Sequence, residues 1–219
     1  MAEDRVVLVG VDGSPESLGA VDWAVARAAR ENWRVHILCA YSLPSFTTAS
    51  LDGGYAALDD SAIRSGAQAV VSEAADRAQG KGVTVTNSLE TGDPAGVLVD
   101  LSDEAALTVV GTRGGGGFTD RLLGTVSSAL PAHAHCPTIV VPRHTEGADY
   151  TPVRRIVVGV DGSDSARKAL RWAVREADVW DAELTAIAAV PMASGAGALA
   201  WLPAAVDREQ VLADVRSGL

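Results

Sequence analysis

The feature that most restricts the fold of this 219-residue chain is a repeat. The hexapeptide VGVDGS at Val9 to Ser14 returns at Val158 to Ser163, displaced by 149 positions, and Trp23-Ala24-Val25 returns as Trp172-Ala173-Val174. The chain therefore starts the same domain twice. The first copy, residues 1–147, is long enough to complete a domain. The second, residues 148–219, has the length of an opening half.

Within the first copy, hydrophobic periodicity alternates between strand and helix. Val6 to Val11 is a nearly continuous apolar run, as expected of a parallel strand buried on both faces. Ser14 then caps a helix with Pro15 in its first turn and Leu18, Val21, Val25 and Ala28 at helical spacing, to about Asn32. Val35 to Tyr41 reads as a second strand and Ser42 to Asp60 as a long loop. Ser61 to Gln79 reads as a helix burying Ile63, Ala67, Val70, Val71 and Ala74. Val83 to Thr86 alternates like an edge strand, Gly92-Asp93-Pro94 opens a short helix ending near Ser102, and Leu107 to Val110 is a fourth strand. Thr125 to Ala134 is a helix expected to bend at Pro131, and Thr138 to Val141 is the fifth strand. Five strands alternating with four helices predict an α/β fold with a doubly wound parallel five-stranded sheet. The second copy predicts a strand at Ile156 to Val160, a helix from Ser163 to about Trp180, a strand at Leu184 to Val190 and a helical start at Val206 to Val215.

In such sheets, ligands bind at the carboxyl ends of the strands where the winding changes direction. Strands one and four should flank that point, placing Asp12 opposite Gly111 with Ala40 nearby. The sequence after strand four fits a ligand site. Gly111 and Gly114 are separated by two residues, Gly124 follows after nine more, and Thr125 opens the next helix. Glycine lets backbone approach a ligand closely, and a helix N-terminus with adjacent hydroxyls, here Thr125 and Ser127, attracts anions. Arg113 and Arg121 add positive charge, so the loop reads as a phosphate cradle. It is not a Walker A loop, because no lysine stands between glycine and hydroxyl. Asp12 by spacing alone is equally a turn residue, since Asp-Gly pairs are ordinary turn chemistry.

Net charge is −10, which disfavours nucleic-acid backbones and anionic membranes as partners. No apolar run approaches a membrane span, and the acidic start MAEDRVVLVG lacks the positive charge of a leader, so a cytoplasmic location is expected. Two cysteines, Cys39 and Cys136, imply no disulfide framework. His133, His135 and Cys136 are poorly spaced for a shared metal, and Trp23 and Trp172 read as packing residues.

VGVDGS on strand one, GxxGx9G followed by a hydroxyl, and CPTIVVPR at the fifth strand together resemble the universal stress protein family, in its tandem-domain form with an incomplete second domain. The resemblance implies a Rossmann-like sheet of the adenine-nucleotide α-hydrolase kind. It also implies ATP, with Mg2+ as counter-ion, held by Asp12 and Ala40 around the adenosine and by Gly111, Gly114, Gly124, Thr125 and Val126 along ribose and phosphates, with Arg113 in the same loop. The chain departs from the family pattern in having Gly115 where a basic residue is frequent and Thr125 where serine is common. Without a second glycine loop, Asp161 is not expected to form an equivalent site. The expectation is a nucleotide-dependent stress-response module with at most slow hydrolysis, assembled as a homo-oligomer or through pairing of its two domains. The alternatives are an adenine-nucleotide enzyme, whose usual HIGH-type and SGGxDS signatures are missing here, and a dimerisation module that has lost ATP.

Overall fold

The computed structural model describes residues 5–42, 60–112, 123–143 and 150–188. It divides into two compact units that part between Thr151 and Pro152. The expected loop from Ser42 to Asp60, apart from its two end residues, and the helical start at Val206 to Val215 lie outside the described residues.

Unit 1 runs β1 (Val6–Gly10), α1 (Pro15–Glu31), β2 (Arg34–Tyr41), α2 (Asp60–Ala78), β3 (Val85–Thr91), α3 (Pro94–Leu101), β4 (Leu107–Gly111), α4 (Thr125–His133) and β5 (Thr138–Val141). Its sheet has the order β3-β2-β1-β4-β5 and its strand pairs are parallel. The winding reverses between β1 and β4, as the alternation of elements predicts.

Local sequence sets most of these boundaries. Ser14 caps α1 by accepting from the Ser17 N–H, and Asn32 ends it in the left-handed conformation at φ 57°. Asp93 caps α3 in the same way through Gly96 N–H, with Pro94 in the first turn. Beneath α3 and α4, Leu8, Leu38, Leu98, Val110 and Leu130 form one buried cluster. Valines at positions 7, 9, 35 and 109 and Ile37 are fully buried as well. Each central strand is thus apolar on both faces, the pattern of a sheet sandwiched between helix layers.

Two features differ from the sequence reading. The edge strand is β3, Val85–Thr91, two residues later and longer than the alternation at Val83 to Thr86 predicts. Its second half, NSLET, shows no clean alternation because an edge strand needs to bury little; Asn87, Glu90 and Thr91 are exposed. Arg27 on α1 is completely buried, with its guanidinium 4.5 Å from the Trp33 ring centre and 2.7 Å from Glu31. Pairing with a carboxylate one turn on and stacking over indole make that burial tolerable.

Helices α1 and α2 are joined by Asp22, which accepts from Arg77 Nε and Lys81 Nζ, both at 2.9 Å. Burial alone would raise the Asp22 carboxyl, but these two cations outweigh it and hold the group below its ordinary value. A depressed folded-state value gives stability that is present above the unfolded carboxylate value, about 3.9, and lost as pH falls through the lower folded one. Asp22→Asn should therefore lower stability at neutral pH, by under about 1 kcal/mol because the pair is partly solvated. Urea unfolding should show the gap between the two proteins closing as pH falls below the ordinary carboxylate range and the wild-type carboxyl is protonated.

Unit 2 contains β6 (Arg155–Val160), α5 (Asp164–Trp180) and β7 (Glu183–Ala188), with β6 and β7 parallel. Its local rules copy those of unit 1. Ser163 caps α5 through Ala166 N–H, and Asp181 closes it at φ 54°, the place held by Asn32 in the first copy. Val158, Val160, Ala173 and Trp180 are buried where α5 covers one face of the strand pair.

Candidate functional site

The strand ends of unit 1 assemble from the turn after β1. Asp12 Oδ1 accepts from Ser14 N–H at 3.1 Å and Ser14 Oγ at 2.6 Å, while Ser17 Oγ donates to the Ser14 carbonyl at 2.8 Å. Gly13 has φ 80°, so a side chain there would be strained. Asp12 thus performs the turn chemistry open to an Asp-Gly pair and still lies exposed at the carboxyl edge of the sheet. Val11 N–H donates to the Leu38 carbonyl at 2.9 Å, so the turn leaves β1 beside the end of β2, where half-buried Ala40 sits; the Cys39 thiol there is pushed up by burial and then by the charge of Asp12.

Gly111 ends β4 against the first turn of α1. A Cβ built on it would stand 2.7 Å from the Glu16 carbonyl carbon and 2.9 Å from the Glu16 oxygen. The close approach here is therefore to the chain's own backbone. It brings the N-terminus of α1 directly over the end of β4. The Glu16 side chain is only 12% exposed, with Arg143, which follows β5, 3.7 Å from its carboxylate.

Thr112, immediately after Gly111, is the hinge of the site. Its N–H donates to the Val141 carbonyl at 2.9 Å, and its own carbonyl accepts from Gly124 N–H at 3.0 Å and Ser127 Oγ at 2.8 Å. The segment between Thr112 and Gly124 is therefore closed at its base. Gly124 is the N-cap of α4, Thr125 its first residue and Val126 its second. The first helical bond runs from Ser128 N–H to the Gly124 carbonyl, so the N–H groups of Thr125, Val126 and Ser127 project from the helix end rather than into it. Thr125 is exposed, and Val126 packs its side chain on the Leu8 cluster.

Ser127 departs from the sequence reading. Its hydroxyl is buried and donates to the Thr112 and Gly124 carbonyls, so it braces the helix start instead of facing an anion. Arg113 and Gly114 lie outside the described residues. Of the remaining expected residues, the fold gathers Gly111, Gly124, Thr125 and Val126 around Thr112 and sets Asp12 and Ala40 on the β1–β2 side. Glu16 and Arg143 were not legible as neighbours of this edge, because a first-turn glutamate and an arginine after a strand are each common for other reasons.

The histidine–cysteine stretch has structural roles. His135 N–H donates to Ser102 Oγ, and Cys136 Sγ lies 3.2 Å from Thr108 Oγ1. Among the described residues, no helix is long and apolar enough to cross a membrane.

In the second copy, Ser163 N–H again donates to Asp161 Oδ1, at 3.0 Å, and the Ser163 side chain, then this N–H, lower the Asp161 carboxyl by hydrogen bonding. The Asp-Gly-Ser turn is thus an autonomous device that forms in both units, whereas the closed base at Thr112 belongs to unit 1.

The universal stress protein family profile matches residues 5–142 and 152–217. Universal stress protein Rv2623 of Mycobacterium tuberculosis is 31% identical over 97% of this chain and 73% of its own length. A universal stress protein structure from Archaeoglobus fulgidus shares the fold with a TM-score of 0.70 at 19% identity, over 98% of this chain and 72% of that one. A protein of the same family from Burkholderia pseudomallei matches with a TM-score of 0.50 at 26% identity, over 65% of this chain and 98% of its own. With both copies of its internal repeat matched, the chain belongs to the universal stress protein family.

Proposed function

We propose that unit 1 binds ATP, with Mg2+ as counter-ion, at the carboxyl edge of its sheet, and that occupancy of this one site regulates a cytoplasmic stress-response module. The observation that carries the reading is the closed base at Thr112. The Thr112 carbonyl, just after β4, accepts from Gly124 N–H and Ser127 Oγ and so holds the N-terminus of α4 beside the end of that strand. Fixed N–H donors at a helix start suit a phosphate chain, since they keep their orientation without a ligand. Gly124, Thr125 and Val126 would hold the phosphates by backbone and hydroxyl, with Arg113 and Gly114 contributing from the loop. Asp12 and Ala40 would lie along the adenosine. Arg143 offsets the Glu16 charge at this edge, which a polyphosphate would otherwise meet as repulsion.

Hydrolysis is expected to be slow. Among the described residues, the carboxylates at this edge are engaged, Asp12 in its turn and Glu16 with Arg143, and neither is set up as a general base. Denaturing the purified protein and identifying released nucleotide by mass spectrometry tests the proposal. One ATP per chain is expected. Protein that carries no nucleotide and shows no calorimetric response to added ATP would overturn it.

A further inference from the structure

Arg143 stands just past the carboxyl end of β5 with most of its guanidinium uncommitted. Val141 aligns with Gly111 and its carbonyl accepts from Thr112 N–H at 2.9 Å, so β4 and β5 leave the sheet side by side. Pro142 then fixes one backbone dihedral, and Tyr150 donates its hydroxyl to the Arg143 carbonyl at 2.8 Å. The backbone of Arg143 is thus held at the same edge where the Thr112 carbonyl anchors the start of α4. Its side chain is 83% exposed and meets Glu16 through Nε at 3.7 Å, its one ionic contact among the described residues. So long and solvated a pair is weak in itself. Glu16 is the fixed member, 12% exposed on the first turn of α1 with its backbone against Gly111. The terminal nitrogens of Arg143 remain for a second anion.

We propose that Arg143 is a specificity-determining residue of the nucleotide site, bridging Glu16 and the phosphate chain so that the site favours the triphosphate over the nucleoside. The inference rests on the reading of this edge as an ATP site. Glu16 acts as the positioning residue, holding Nε on its own side while the terminal nitrogens donate to phosphate oxygens in charge-assisted bonds. Adenosine offers those nitrogens no anion. Such a bridge differs from neutralisation of Glu16 alone, which would leave Arg143 dispensable once the carboxylate is gone.

Calorimetric titration of the full chain with ATP and with adenosine tests this. Arg143→Ala should weaken ATP roughly tenfold or more while leaving adenosine affinity and the melting temperature unchanged, since the side chain is exposed. Arg143→Lys should recover part of the loss, as a point charge without the planar fork. Added salt should narrow the ATP gap between the parent and Arg143→Ala. In a Glu16→Gln background, Arg143→Ala should still weaken ATP. A loss that disappears in that background would reduce Arg143 to a counter-ion of Glu16 and overturn the proposal. Equal effects on ATP and adenosine, or ATP binding indifferent to Arg143, would overturn it as well. A parent protein that binds no ATP would instead sink the underlying ATP reading, and this inference with it.

Discussion

Gly111→Ala is expected to destabilise unit 1 by about 2 to 3 kcal/mol, the upper part of the range for overpacking a rigid contact. The added methyl would meet the Glu16 backbone at 2.7 to 2.9 Å, and backbone cannot rotate away as a side-chain tip can. The first turn of α1 must lift off β4, carrying with it the Ser14–Ser17 cap that Asp12 supports. ATP affinity should fall with stability, because the Asp12 turn and the end of β4 move apart. Gly19→Ala is the control: a methyl there meets nothing within 4 Å, and alanine is favoured over glycine inside a helix by roughly 0.5 to 1 kcal/mol. Urea midpoints should move in opposite directions for the two variants. A Gly111→Ala protein as stable as the parent would show that the β4–α1 contact yields easily.

Gly114→Val separates binding from folding. Gly114 lies between two anchored points, Thr112 and Gly124, so the hydrogen bonds that close the base do not depend on its side chain. A branched side chain on a backbone that must approach phosphate should block that approach. Loss of two charge-assisted hydrogen bonds at about 1.5 to 3 kcal/mol each predicts an ATP affinity lower by roughly a hundredfold or more, with an unchanged melting temperature. Calorimetry and thermal melting read the two quantities independently. Unchanged affinity in a folded variant would remove the glycine loop from the site.

What the sequence made legible follows from the range of the interactions involved. Ser14 as a cap, Pro15 in the first turn and the turn at Asp12 rest on residues within three positions of one another, and such rules operate before any tertiary contact forms. Alternation of elements and the handedness of crossovers lead to a doubly wound parallel sheet with strands one and four at its switch point, while the full order β3-β2-β1-β4-β5 is read from the structure. The sequence marks Gly111 as a position where backbone approaches a ligand; the close neighbour in the structure is Glu16, almost a hundred positions earlier, and no local pattern encodes that pairing. Ser127 was misassigned because a serine in the first turn of a helix has two customary uses, and only the position of the Thr112 carbonyl decides between them. Arg27 was invisible for a similar reason, as helical periodicity marks apolar residues and not a guanidinium that stacks on Trp33.

The pairing of β1 with β4 also bears on the order of events during synthesis. Val7 aligns with Leu107, so the centre of the unit 1 sheet cannot close until about a hundred residues have emerged, whereas β1 and β2 are separated by a single helix. Until then the nascent chain holds a two-stranded pair backed by α1, with Leu8 and Leu38 uncovered and one edge of β1 open. At translation rates of about 5 to 20 residues per second that interval lasts several seconds, long enough for chaperones or neighbouring nascent chains to reach the open face.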